Sequence, residues 1–301
     1  MRDRPLTVLA WAIFWIVVGM GPLLATLGLL VPKFLAFMQE LQSLKEATVA
    51  DRSVLFEKVG GFYAGMFTLM GPWMLWLAIV SVVLSAAILR AVLEPRRSGF
   101  AYLRLGADEL RLILLNILIF ILTLVFTAIL TCVAAGAMWA AHRFVPDPWT
   151  GWAIFLVVVL AFCLAIVIPI RLSLAPAMTF AEKNIRIFES WRLTRGRFWK
   201  MLGMWLLTLF FVIVVAIGFS IIRNIVFFSV GGASGAFEQL AALEHVQDVG
   251  KVFATLQKAL GPMILVLVAI QGVVDAILRV IVVSPSAAAY AALSGRGAEE
   301  A

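Results

Sequence analysis

The residues able to do chemistry in this chain are few, and most of them are charged rather than nucleophilic. Two histidines occur, in His142-Arg143 and at His245, neither with a carboxylate cluster nor in an HExxH pattern. Cys132 and Cys163 both sit in apolar runs with no CxxC spacing, and no GxSxG or GxxxxGK is present, so no catalytic residue, metal site or cofactor is expected. What remains is charge held in apolar surroundings. Gln271, Asp275 and Arg279 follow at four-residue spacing, which stacks them on one face of a helix. Arg90 and Arg171 end two other apolar runs, and Arg192, Arg195 and Arg197 lie in a basic stretch just downstream. Charges in hydrocarbon are costly unless paired or able to snorkel, so such residues mark either an ion pair or a site. Three uses are open for Asp275: an interior salt bridge to Arg279, Arg90 or Arg171 that fixes packing, part of a lipid-headgroup or anion site formed by those arginines, or a proton-carrying step.

The elements that position these groups follow from composition. Of 301 residues, 63% are hydrophobic and only 14% charged, with mean hydropathy +1.06. A soluble domain carries about a quarter of its residues as charges, so the chain is read as a single membrane domain. Apolar runs long enough to cross as helices fall at about 7–31, 62–92, 112–141, 151–175, 201–229 and 262–283. The expected fold is therefore all-α, a six-helix polytopic bundle. The N-terminal run has a basic start, but it exceeds the length of a signal-peptide core and is taken as the first spanning helix.

Between the spans, 33–60 and 232–260 place apolar residues every three or four positions among charges, the pattern of amphipathic helices lying on the outer surface, with Gly60-Gly61 closing the first. Gly71-Pro72 is expected to kink the second span. Asn116, Thr123 and Thr127 fall near one face of the third span, a polar stripe expected to face neighbouring helices and, with Gln271 and Asp275, to line an internal groove. The link HRFVPDPWTG carries Phe144, Trp149 and Trp152 for the outer interface. The tail after Pro285 reads as a short helix that frays.

Three runs end on an arginine followed five or six residues later by proline: Arg90 with Pro95, Arg171 with Pro176, and Arg279 with Pro285. This suggests three repeated helical hairpins. The formal net charge is +7, and the cations concentrate in 93–111 and 176–200, the latter holding Lys183, Arg186, Arg192, Arg195, Arg197 and Lys200 against Glu182 and Glu189. By the retention of Lys and Arg on the cytoplasmic side, these two loops and both termini are placed there. Loops pinned between spanning helices suit anionic headgroups better than nucleic acid.

Two stretches of the basic region form a recognisable motif. Arg171, Leu174, Ala175 and Pro176 give an R-x-x-L-A-P exit. Ser190, Trp191, Leu193, Thr194, Gly196 and Trp199 follow as S-W-x-L-T-x-G-x-x-W, and YLRLGADELRLILLN (102–116) looks like the corresponding earlier loop. This pattern resembles a bacterial family of multispanning membrane proteins related to the membrane domain that accompanies some glycerophosphoryl diester phosphodiesterases. The resemblance covers nearly the whole chain and implies the six-helix unit without its enzyme domain. That domain's His-Arg pair has only His142-Arg143 as a counterpart, without the accompanying acids, so diesterase activity is not carried over.

The expectation is thus a non-enzymatic protein of the bacterial inner membrane. It would engage anionic lipid headgroups, a protein partner or a second copy of itself through Arg90, Arg171, Arg279, Arg192, Arg195 and Arg197. The competing expectation is a transporter or channel for a small solute or lipid, with Asp275, Gln271 and Thr127 along its path.

Overall fold

With so little polar surface to spend, the backbone has to satisfy its own hydrogen bonds, and helix is the local way to do so. The computed structural model describes residues 5–44, 52–94, 100–241 and 249–294, and no strand occurs among them. Helix α1 (Pro5–Phe14) passes through a π-helical turn (Trp15–Met20) into α2 (Gly21–Leu44). Helix α3 (Arg52–Leu93) precedes a short 3-10 turn (Phe100–Tyr102), then α4 (Ala107–Phe144) and α5 (Thr150–Leu172). The basic region holds α6 (Ala175–Glu182) and α7 (Ile187–Leu193). Helix α8 (Phe198–Ala233), the six-residue α9 (Ala236–Ala241) and α10 (Val249–Leu293) complete the described chain.

Five described helical stretches are long and apolar enough to cross a membrane: Glu57–Leu93, Ala107–Phe144, Thr150–Glu182, Phe198–Ala233 and Gln257–Leu293. They contain the last five of the six expected spans. The first, 7–31, is helical, but its apolar stretches Leu6–Met20 and Gly28–Phe37 are each shorter than a span. In the Thr150–Glu182 and Phe198–Ala233 helices only 6% of the hydrophobic window is buried, and in Ala107–Phe144 only 11%. Water would make that much bare apolar surface prohibitive, whereas a hydrocarbon surround does not.

Several expectations change here. Helix α3 is continuous through Gly60-Gly61, and residues 33–44 and 52–60 continue α2 and begin α3 rather than forming a separate surface helix. A glycine pair costs a helix about 2 kcal/mol, less than leaving backbone groups unpaired next to lipid. Likewise 232–260 divides between the end of α8, the short α9 and the start of α10; residues 45–51 and 242–248 lie outside the described ones. Helix α10 continues past Arg279 and through Pro285 to Leu293, so the third arginine-proline pair closes nothing and the threefold repeat loses one of its three exits. The expected tail helix is the end of α10, with Ala287 and Tyr290 buried. Pro95, Arg96 and Arg97 are outside the described residues.

The chain divides into two compact units, Met1–Leu84 with Val212–Arg279, and Ser85–Phe211 with Val280–Ala301. The first unit buries Trp11, Trp15, Val80, Met263, Val274 and Ala276. The π turn is tied to α3 where Trp76 Nε1 donates to the Val18 carbonyl at 2.7 Å. It packs so tightly on α10 that a Cβ on Gly272 would lie 2.1 Å from Ile16 Cγ1. Phe37 and Phe62 stack with centroids 3.9 Å apart, holding α2 to α3. The second unit buries Ile88, Leu89, Leu112, Leu115, Leu174 and Phe180, a core built from the ends of α3 and α6 and the start of α4.

Candidate anion-binding site

In the second unit the two halves of the R-x-x-L-A-P and S-W-x-L-T-x-G-x-x-W motif meet. Leu174 and Ala175 are fully buried, and Pro176 stands in the first turn of α6, where its missing N–H is not needed. Ser190, also fully buried, donates its hydroxyl to the Arg171 carbonyl at 2.6 Å, fastening α7 to the end of α5. The Thr194 hydroxyl donates to the Ser190 carbonyl at 3.0 Å and closes α7. Gly196 has φ +78, so the turn from α7 into α8 requires the one residue without a Cβ penalty. The motif is a clamp, and what it clamps is Arg171. The guanidinium lies 5.3 Å from the Trp191 ring centroid and 5.8 Å from that of Phe198. Its Nε and Nη1 are buried without a hydrogen-bond partner. Cation–π contacts of about 0.5–2 kcal/mol each soften the burial of this charge, but they do not replace the hydrogen bonds it has lost. Nη2 is the one guanidinium nitrogen not enclosed in this way.

Arg90 sits in the same unit in the opposite condition. It is 7% exposed and pairs with Glu109, 2% exposed, while donating to the Tyr102 carbonyl at 3.1 Å. Its guanidinium also lies 5.6 Å from the Phe180 ring. Glu109 accepts in addition from the Gly106 N–H at 2.9 Å, capping α4. Around this pair Asp108 accepts from Lys183 at 2.8 Å and Arg111 at 3.0 Å. Arg90 therefore has its counter-ion and serves the fold. Exposed Arg192, Arg195 and Arg197 have no ion-pair partner among the described residues, and they lie among Phe188, Trp191 and Trp199, whose exposures are 74%, 41% and 79%. Arg186 is instead held by Glu189 and Glu182, which raise its pKa above the ordinary guanidinium value.

The polar cluster of the first unit is built on Trp15. Its Nε1 donates to Asp275 at 3.0 Å, and Gln271 donates to the same carboxylate at 2.8 Å. Arg279 lies 3.9 Å over the Trp15 ring and donates to the Ser81 hydroxyl, with its Nε buried and unpartnered. Asp275 thus takes two neutral donors instead of the expected arginine. The indole meets both groups at once, its N–H donating to the acid and its ring face lying against the cation. Sequence spacing did not disclose Trp15, because it comes from the far end of the chain.

The stripe on the third span behaves differently from expectation. Asn116 is exposed and returns its amide to the Leu112 carbonyl at 2.8 Å, Thr127 is exposed, and Thr123 is half-buried. These residues belong to the second unit, and Gln271, Asp275 and Arg279 to the first. A side chain bonding back into its own helix is satisfied without a neighbour, which is why a polar stripe here need not mark a helix contact.

The three arginines of the sequence pattern share one feature that spacing could not reveal: each lies against an aromatic ring, Phe180, Trp191 with Phe198, or Trp15. They differ in whether a carboxylate is also present. No family model, no curated protein and no solved structure matches the chain.

Proposed function

We propose that this protein is a non-enzymatic, multi-pass protein of the bacterial inner membrane that holds anionic lipid headgroups at the Arg171 end of α5. The first helical stretch completes six crossings in this reading, with both termini and the loops 93–111 and 176–200 on the cytoplasmic side. The observation that carries it is the Arg171 guanidinium, with two buried nitrogens lacking any partner. Exposed Arg192, Arg195 and Arg197 lie in the same loop and α7, interleaved with the exposed aromatic rings. Cations and amphipathic aromatics at the end of a spanning helix suit the headgroup layer, where each basic residue contributes about 1 kcal/mol of attraction to an anionic surface. The resemblance of the clamp motif to the multispanning family above is in keeping with an accessory role, in which the bound lipid or a protein partner is the object and no bond is broken.

The test is lipid co-purification. Arg171→Gln extracted in mild detergent should lose most of the phosphatidylglycerol that the wild type retains, while Arg192→Gln/Arg195→Gln/Arg197→Gln should lose part of it. Equal phosphatidylglycerol in wild type and Arg171→Gln would reject the proposal.

A further inference from the structure

A cavity of 220 Å³ lies in the second unit, where the end of α3, the turn before α4 and the end of α6 come together. Among the described residues its wall carries three cations, Arg90, Arg104 and Lys183, and three carboxylates, Glu94, Asp108 and Glu109. Of the three non-glycine residues with positive φ among the described ones, Lys183 lines it, and Ala101 and Tyr102 come just before Arg104 in the chain. Lys183 has φ 58, and Ala101 and Tyr102, with φ 49 and 59, make the turn whose Tyr102 carbonyl receives Arg90. Strained backbone of this kind persists only where the surroundings hold it, and it gathers at binding sites. The charges are not all spent on one another. Arg90 and Glu109 are closed together, but Lys183 spans Asp108 at 2.8 Å and Glu94 at 4.0 Å, and exposed Arg104 has no partner among the described residues.

We infer that this cavity binds a small zwitterion in which a primary ammonium and a phosphate are joined by a short arm. A bare anion would face three carboxylates and a bare cation three cations, whereas a dipolar ligand meets both signs in their places. The phosphate falls to Arg104, and the ammonium takes the position between Asp108 and Glu94 that Lys183 Nζ now occupies, freeing Lys183 to turn to the phosphate. Size is in keeping with a small group: 220 Å³ is below the roughly 300–1,000 Å³ of pockets for drug-sized ligands and suits a headgroup. The walls stand at the ends of α3 and α4, two helices long and apolar enough to cross a membrane, and the end of a crossing helix is where lipid phosphates lie. The aminophosphate is therefore either a lipid headgroup or its free counterpart. This site uses residues apart from Arg171 and does not depend on the headgroup proposal made for it.

The test uses the full chain in phosphatidylcholine nanodiscs. In calorimetric titration O-phosphoethanolamine should bind at least tenfold more tightly than inorganic phosphate, ethanolamine, phosphocholine or glycine, and Arg104→Gln should weaken it at least tenfold with an unchanged melting temperature. Lys183→Gln, which also removes a phosphate partner, should weaken it as well and provides a second variant. In parallel, native mass spectrometry of protein from phosphatidylethanolamine-containing membranes should show a retained phosphatidylethanolamine that Arg104→Gln loses. Arg104-dependent binding in the first arm alone identifies a soluble ligand, in the second alone a lipid, and either supports the inference. It is overturned by no binding in both arms, by equal affinity for inorganic phosphate or glycine, or by binding indifferent to Arg104 and Lys183.

Discussion

Replacing Glu109 with Gln leaves the Arg90 guanidinium buried without its counter-ion, and the structure gives the size of the penalty. Both partners are almost fully enclosed, at 7% and 2% exposure, and removing one member of such a pair costs about 3–5 kcal/mol. Part of this is offset. The Tyr102 carbonyl at 3.1 Å and the Phe180 ring remain, Asp108 stands 3.9 Å away, and a Gln oxygen can still accept from the Gly106 N–H. The expected loss is therefore at the lower end, about 3 kcal/mol. Arg171→Gln makes the comparison. It forfeits two ring contacts of about 0.5–2 kcal/mol each, but it also relieves two buried N–H groups whose lack of partners costs about 1–3 kcal/mol apiece, so the two terms offset and no large destabilisation is expected. Reversible unfolding in mixed micelles, followed by circular dichroism, should separate the two variants by at least 2 kcal/mol. Equal destabilisation, or a Glu109→Gln loss under about 1 kcal/mol, would refute the division between a paired arginine that holds the fold and an unpaired one that awaits an anion.

Three other outcomes follow from the same geometry. Gly272→Ala drives a Cβ into Ile16 and should destabilise by about 1–3 kcal/mol, and adding Ile16→Ala, which removes the obstructing atoms, should recover most of it in the same unfolding assay. Asp275→Leu strands the Trp15 and Gln271 donors at about 1–3 kcal/mol each, whereas Asp275→Asn keeps one acceptor and should cost about half as much; wild-type stability in Asp275→Leu would show that these bonds hold nothing. Cys132 and Cys163 are exposed on helices α4 and α5, so in intact membranes a membrane-impermeant maleimide should leave both unlabelled and should label both after SDS denaturation. Labelling before denaturation would place these faces in water.

Hydropathy made the long apolar helices legible because lipid forces long apolar runs into helix regardless of what they pack against. The same force erased the punctuation that sequence seemed to offer: Gly60-Gly61 and Pro285 would break helices in water, yet α3 and α10 pass through them. The basic motif was legible as a unit, since Arg171, Ser190 and Trp191 do meet, though their spacing said nothing of which contacts they make. Long-range partners were invisible. Trp15 reaches Asp275 across 260 residues and Glu109 reaches Arg90 across 19, and neither partnership follows any helical period. The Asn116 and Thr127 stripe misled because periodicity locates a face without saying what lies opposite it.

The most direct measurement is a density map of the protein in nanodiscs rich in phosphatidylglycerol, read at the end of α5. A headgroup phosphate within hydrogen-bonding distance of Arg171 Nη2, with none at Arg90, is the predicted result. An Arg171 guanidinium sealed by protein side chains, or bare while lipid is ordered elsewhere, would contradict it.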